Sequence, residues 1–311
     1  MEEKAMPIIG LSTYSLFLKM GYREAMRFAV QHGFKGVEIW SNVFDFPPWA
    51  VSAADIDFIK GIASENNLRL AIHFCESGND LCAINKGHLE ESRDQLRETI
   101  RIMNRIGSGL IVVHPGQCPE LSVHKKNPLD AYPKFQLKTL HEKALIRFMD
   151  SLADAAKCAE DFGVLIGLEN FSHVKGCVQH ELEEIAEWVD DVGSPALKIT
   201  LDTGHANLEG GVEQAIELYG SRIAHVHLDD NNGKSSQHGE VGSGTIDWTA
   251  IAPFLQAFEG MLSLEVLGFD DPEGAVLRSK VFLEDLLDAP QDAAASKGSA
   301  NTRTETKGER R

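Results

Sequence analysis

Apolar positions along residues 7–288 gather into eight short β-rich runs. These are PIIGLS (7–12), GVEIW (36–40), LRLAIHF (68–74), GLIVVH (109–114), GVLIGLE (163–169), ALKITLD (196–202), RIAHVHL (222–228) and MLSLEVL (261–267). The runs are nearly continuous rather than alternating, which is the pattern of strands covered on both faces. Between them the apolar positions recur every three to four residues, as in YREAMRFAVQHG, HLEESRDQLRETIRIMNRIG and LKTLHEKALIRFMDSLADAAKCAEDFG. That spacing predicts amphipathic helices. Several of these segments close on Gly just before the next run, as helix C-caps do. Eight strand–helix units in about 280 residues predict an α/β fold, a single (β/α)8 TIM barrel over residues 1–288. A doubly wound sheet is the competitor. It places a glycine-rich fingerprint after its first strand, where this chain reads STYSLFLKMG. GSGTIDW (242–248) is rich in glycine but lacks the Lys-Ser/Thr of a phosphate cradle.

From Ala289 the pattern stops. Residues 289–311 read APQDAAASKGSANTRTETKGERR, without apolar periodicity or an aromatic residue, which predicts a disordered tail. The whole chain of 311 residues has a formal net charge of -17. The tail is basic on balance, so the acidic excess belongs to the barrel. A protein that coats nucleic acid through many phosphate contacts is excluded by that balance. A hydrophobic content of 43% excludes disorder throughout. No apolar run is long enough to span a membrane. The start, MEEKAMPIIG, lacks the basic and apolar regions of a signal peptide. Cys75, Cys82, Cys118, Cys158 and Cys177 are scattered and odd in number. Together these features predict a reducing, cytoplasmic location.

Candidate chemistry sits at the strand ends, where a barrel carries it. Those ends present Glu38, His73, His114, Glu169, Asp202 with His205, His227 with Asp229, and Glu265. Glu169 in LIGLEN and Glu265 in LSLEV lie among apolar residues, where an unpaired carboxylate is costly to bury. The strands supply few Lys or Arg partners and offer His and Asp instead, which favours a metal ion. Glu169, Asp202, His227 and Glu265 form the strongest ligand set. Three carboxylates with one imidazole suit Mn²⁺, Mg²⁺ or Co²⁺, and Zn²⁺ as well. His73 and His114 would hold a second ion by sharing Glu169. Ions sharing a carboxylate are a layout used for phosphoester chemistry.

These strings resemble the xylose-isomerase-like barrel superfamily, which groups sugar and sugar-phosphate isomerases and epimerases with the endonuclease IV type of abasic-site nuclease. The matching pieces are AIHF (71–74), VVHPG (112–116), LEN (168–170), LDTGHAN (201–207), HVHLDDN (225–231), GSGTIDW (242–248) and SLEV (263–266). Resemblance to the epimerase branch implies one divalent ion on Glu169, Asp202, His227 and Glu265. Glu169 and Glu265 would move the proton of a ketose through an enediolate, and His205 would contact a substrate hydroxyl. Resemblance to the nuclease branch implies a first ion on His73, His114 and Glu169 and a second on Asp202, His227, Glu265 and Glu169. Its third site needs an Asp-x-His pair, and here Ser236 stands in the aspartate's place before His238. His205 and His238 would then grip a sugar hydroxyl or a phosphate.

The sequence therefore predicts a metal-dependent sugar, sugar-phosphate or polyol ketose isomerase or epimerase. The alternatives are a two-metal phosphoester hydrolase, a dehydratase of an inositol-like ketose, and a binding protein without catalysis. The acidic barrel disfavours duplex DNA but leaves small phosphorylated substrates open. Glu38 and Trp40, two apart and facing the same way, are further candidates for touching substrate. Tyr14, Phe74, Phe171 and Phe269 also follow strand ends. His124, Lys125, Lys126 and Lys134 lie in the long connection after the fourth run and would meet an anionic group. Trp188 is expected in the core, and Trp248 against its own loop with Asp247 capping the helix. Barrels of this type commonly form homo-oligomers, and no feature of the sequence selects one.

Overall fold

The computed structural model describes residues 7–117, 134–171, 177–179 and 181–289. Eight parallel strands close into a barrel in chain order, with the first hydrogen-bonded to the last. They are β1 (Ile8–Ser12), β2 (Gly36–Trp40), β3 (Arg69–His73), β4 (Leu110–Val113), β5 (Leu165–Glu169), β6 (Leu197–Asp202), β7 (Ile223–Leu228) and β8 (Met261–Leu264). Around them run α1 (Tyr22–Gln31), α2 (Ala53–Asn66), α3 (Lys86–Ile106), α4 (Lys134–Phe162), α5 (Leu182–Val192), α6 (Thr203–Leu208), α7 (Val212–Tyr219), α8 (Trp248–Ala257) and α9 (Pro272–Asp288). The predicted (β/α)8 barrel is the fold observed. The apolar runs overshoot some strands: β8 ends one residue before Glu265.

The continuous runs resolve into two faces. Ile9, Leu11, Val37, Ile39, Ile72, Ile111, Val113, Ile166, Leu168, Ile199, Leu201, Val226, Leu228, Leu262 and Leu264 are all buried in the core between sheet and helices. Side chains two apart share a face of a strand. The residues in between therefore line the barrel interior, and Glu38, His73, Glu169, Asp202 and His227 are among them.

Helix starts follow local chemistry. Ser52 and Asp55 form a capping box on α2, Asn85 caps α3, and Asp247 accepts from Thr249 N–H and Ala250 N–H at the start of α8. Trp248 Nε1 donates to Asp230 Oδ2 at 2.8 Å, so it packs its own loop as expected. Trp188 is buried on α5 against Phe148, with ring centroids 5.5 Å apart. Among the described residues no disulfide forms, and no helix is long and apolar enough to cross a membrane. Residues 290–311 of the expected tail, Cys118, and the loop residues His124, Lys125 and Lys126 lie outside the described residues, as does the side chain of Lys134.

At the end of the barrel opposite the candidate site, Met261 fills the interior between two glycines. A Cβ on Gly10 would lie 2.6 Å from Met261 Sδ, and one on Gly36 would overlap the same sulfur. Gly36→Val is expected to cost about 1–3 kcal/mol through overpacking. In a Met261→Ala background the cost should shrink or vanish. Urea denaturation of the four proteins checks this, and equal costs in both backgrounds would contradict it.

Candidate metal centre

The inward positions at the C-terminal ends of the strands converge. Glu169, Asp202, His227 and Glu265 each offer a ligand atom within 4.8 Å of the others, and all four are buried. Glu169 closes β5 and Asp202 closes β6. His227 lies near the end of β7, and Glu265 follows β8. His227 Nδ1 is 3.3 Å from Glu169 Oε1 and 2.8 Å from Glu265 Oε2.

His73 and His114 join Glu169 in an adjoining cluster, their Nε2 atoms 3.5 Å and 2.9 Å from Glu169 Oε2. His205 Nδ1 lies 3.5 Å from Glu169 Oε1 and 3.4 Å from Asp202 Oδ1. The structure therefore brings the other five sequence-predicted ligands, and His205, around Glu169.

The donor set fits a cation. Both oxygens of Glu169, Asp202 Oδ2 and His227 Nδ1 are buried without a hydrogen bond among the described residues. The ion pairs of Glu169, Asp202 and Glu265 among those residues are all to imidazoles, none to Lys or Arg.

The outer ring nitrogens are already engaged. His73 Nδ1 faces Phe74 O at 3.2 Å, and a carbonyl can only accept, so this nitrogen carries the proton. His114 Nδ1 contacts the Glu76 carboxylate. The Nε2 of His73 then meets His114 Nε2, at 3.2 Å, and Glu169 with its lone pair. Converging lone pairs and carboxylates repel unless a cation or protons lie between them.

Without a cation, protons fill the role. Burial disfavours a charged His205, but the charges of Asp202 and Glu169 outweigh it and push its pKa up to about 10. His227 is likewise raised: burial opposes its charge, while Glu265, Glu38 and Glu169 favour it. Burial, reinforced by the Asp202 charge, pushes Asp229 well above the ordinary carboxylate range.

Asp202 is held by backbone contacts as well as by its strand. Its Oδ1 caps α6 by accepting from His205 N–H at 2.6 Å. Asn170 brackets its main chain, accepting from Asp202 N–H at 2.8 Å and donating to Asp202 O at 3.0 Å. Gly204 N–H donates to Asp229 Oδ1 at 2.9 Å, and a Cβ on Gly204 would collide with that carboxylate. This close approach is the physical requirement for glycine in LDTGH.

His238 is carried over the site by the loop pinned through the Asp230–Gly239 bridge. Its φ of 43° is left-handed, a conformation a non-glycine residue holds only when its surroundings impose it. His238 Nδ1 lies 3.4 Å from Asp229 Oδ2, and Asp202, Asp229 and His238 form a further cluster of ligand atoms. Ser236 is exposed and takes no part. The carboxylate near His238 is that of Asp229, just past the end of β7.

Aromatic rings build one wall of the mouth. Trp40 meets Tyr14 edge-on at 4.8 Å and Phe17 at 5.2 Å, and Tyr14 stands 5.9 Å from His238. Phe171 lies 4.6 Å from the His114 ring and 4.9 Å from the His205 ring. Phe74 is buried, and Phe269 is 70% exposed.

Glu38 sits below the mouth of the barrel. It shares the inward face with Trp40 but lies one layer deeper, with no exposed surface. Its Oε2 accepts from His225 Nε2 at 2.6 Å and His227 Nε2 at 3.0 Å. Glu38 therefore lies beneath the Glu169–Asp202–His227–Glu265 cluster, two positions before Trp40 on β2 and so about 7 Å deeper. His225 and Glu76 were not singled out by sequence reasoning. The alternation in HVH puts His225 on the inward face, but nothing in the sequence marks Glu76.

Comparison with known proteins follows the same lines. Residues 26–286 match the model of the xylose isomerase-like TIM barrel family. An uncharacterized protein of Methanocaldococcus jannaschii is 26% identical, over 91% of this chain and 90% of that protein. D-psicose 3-epimerase of Enterocloster bolteae is 32% identical, over 35% of each chain. Among solved structures, a D-tagatose 3-epimerase-like protein superposes with a TM-score of 0.75 at 24% identity, covering 94% of this chain and 99% of that one. The match runs from α1 to α9, taking in β2 to β8 and the converged ligand set, and this chain belongs to the xylose isomerase-like TIM barrel family.

Proposed function

We propose that the protein is a divalent-metal-dependent isomerase or epimerase of a ketose, either a sugar, a sugar phosphate or a polyol-derived ketose. One observation carries the reading. Two glutamates from separate strand ends, Glu169 and Glu265, meet at His227 Nδ1 with Asp202 beside them, and no Lys or Arg among the described residues neutralises them. Such a set would hold Mn²⁺, Mg²⁺, Co²⁺ or Zn²⁺. When bound, the ion supplies Lewis acidity that acidifies the C–H beside a substrate carbonyl.

The protein's own groups do the remaining work. One glutamate takes the proton from carbon, and the other returns a proton to the opposite face of the enediolate. His205 and His238 present ring N–H groups to substrate hydroxyls or to a phosphate. The Tyr14–Phe17–Trp40 wall packs the carbon skeleton and excludes water. The D-psicose 3-epimerase relative supports this class of reaction.

The test is exchange in D₂O over a panel of ketoses and their phosphates. Deuterium should enter the carbon next to the carbonyl in both substrate and product. An active preparation whose product carries no solvent deuterium overturns the reading. A dehydratase would begin with the same proton abstraction and then lose water, so product mass separates the two.

A second reading, a two-metal phosphoester hydrolase, is favoured by a specific observation. His73 and His114 turn the same nitrogen toward Glu169, and their outer nitrogens are engaged by Phe74 O and Glu76. It requires two metal equivalents per chain. His114→Ala should then lose one equivalent together with activity on a phosphodiester. One equivalent, unchanged in His114→Ala, leaves the epimerase reading alone.

A further inference from the structure

We infer that Glu38 is a positioning residue that holds the His227 ring in one tautomer and one orientation beneath the metal centre, with His225 as the second anchor of its carboxylate. The inference rests on His227 being a metal ligand, as proposed above.

A carboxylate oxygen accepts and does not donate. Glu38 Oε2 receives both imidazole Nε2 atoms, at 2.6 Å and 3.0 Å, so both nitrogens carry protons. In His227 that leaves Nδ1 for the ion, and Nδ1 is the atom facing Glu169 and Glu265. A carboxylate behind a ligating imidazole fixes its orientation and raises its basicity. The sequence distance between Glu38 and His227 is 189 residues, so only closure of the barrel creates the pair.

The surroundings argue for positioning rather than for stability. The interior of such a barrel is ordinarily packed with large branched side chains. Here the strand neighbours in register are Ser12 opposite Glu38, Thr200 opposite His225, and Ser263 opposite His227. The hydroxyls of Ser12, Thr200 and Ser263, and Glu38 Oε1, have no hydrogen-bond partner among the described residues. A buried ion pair is a weak source of stability, and well-packed apolar side chains commonly replace it without loss. A charged residue kept in a small, polar layer directly under the ligands is arranged for the ring above it.

His225 completes the device. It lies two residues before His227 on the same strand face, and its ion pair is with Glu38 alone among the described residues. It steadies the carboxylate from outside the Glu169–Asp202–His227–Glu265 set. With two imidazoles on one oxygen, any rotation of Glu38 breaks both bonds at once.

The experiment combines Mn²⁺ titration with ¹H–¹⁵N correlation of the imidazoles in zinc-loaded and metal-free full-length protein. The wild type should show a His227 Nε2 proton protected from solvent exchange in both states. Glu38→Ala should weaken Mn²⁺ binding about 10–100-fold, and Glu38→Gln, which keeps one acceptor oxygen, should recover part of the loss. His225→Asn should cost less than Glu38→Ala. Mn²⁺ affinities of both Glu38 variants within twofold of wild type overturn the inference. So does a His227 Nε2 without a proton in the wild type, a result that stands even if the variants do not fold. A wild type that binds no ion overturns the metal reading instead.

Discussion

Glu169→Gln is expected to lower turnover and C–H exchange by about 10²–10⁴-fold, the range of a lost general acid or base. Glu169 is the residue that joins the His73–His114 cluster to the Asp202–His227–Glu265 cluster. Four imidazoles surround its carboxylate, with nitrogens at 2.9 Å (His114), 3.3 Å (His227) and 3.5 Å (His73 and His205). Gln keeps the volume and one acceptor oxygen, so the barrel should fold. It removes the proton acceptor and a ligand charge together.

Glu265→Gln should be comparably damaging to exchange. It should spare the His73–His114 cluster, which Glu265 does not enter. Kinetics, exchange and metal content of the two variants form one comparison. Exchange at the wild-type rate in either variant contradicts the acid/base assignment. Equal loss of metal in both contradicts the special place of Glu169.

The second large effect is on stability. Metal binding to the folded state alone adds RT ln(1 + [L]/Kd), about 4 kcal/mol at a thousandfold excess over Kd. At roughly 2–4 °C per kcal/mol for a domain near this size, saturating Mn²⁺ should raise Tm on the order of 10 °C.

Asp202 gives the sign a sharper test. Its folded pKa is raised, by burial first and by the Glu169 charge as well, with His205 opposing. A carboxyl whose folded pKa lies above its unfolded value opposes folding once pH exceeds the unfolded value, and does so increasingly as pH rises through the folded one. Asp202→Asn removes that opposition, and its Oδ1 can still cap α6. In chelator the variant should therefore match or exceed the wild type, with an advantage that grows from pH 4 to neutrality (roughly the window set by an ordinary Asp value). In Mn²⁺ the order should reverse, because the variant loses a ligand charge. Thermal melts in both conditions decide it. A variant less stable than wild type in chelator at neutral pH would show that Asp202 supports the fold without an ion.

The glycines of the barrel illustrate how far local pattern reaches. Gly193 ends α5 in the left-handed conformation, φ 65°, as helical periodicity followed by glycine predicts. Gly36 begins β2 for an unrelated reason, the bulk of Met261 crossing the barrel from β8. No local signal announces that requirement.

The candidate site divides in the same way. Period-two alternation was enough to place Glu169, Asp202, His227 and Glu265 on one face, and strand ends were enough to place them on one rim, since both follow from backbone geometry within a strand. The eight strand–helix units and the apolar character of every run determined the barrel, because parallel strands covered on both faces have few other closures. Depth and partnership were beyond that reach. Glu38 has the face the alternation assigns it, and it meets His225 and His227 across the interior, a layer below the mouth. Asp229 takes the place beside His238 that the loop sequence left to Ser236, and Glu76 reaches His114 from a loop. Each of these contacts joins separate strands or loops at a height set by the stagger of the closed sheet. That stagger is a property of all eight pairings together, so the sequence determined the fold and its rim of candidate ligands, and only the closed barrel decided which groups stand behind them.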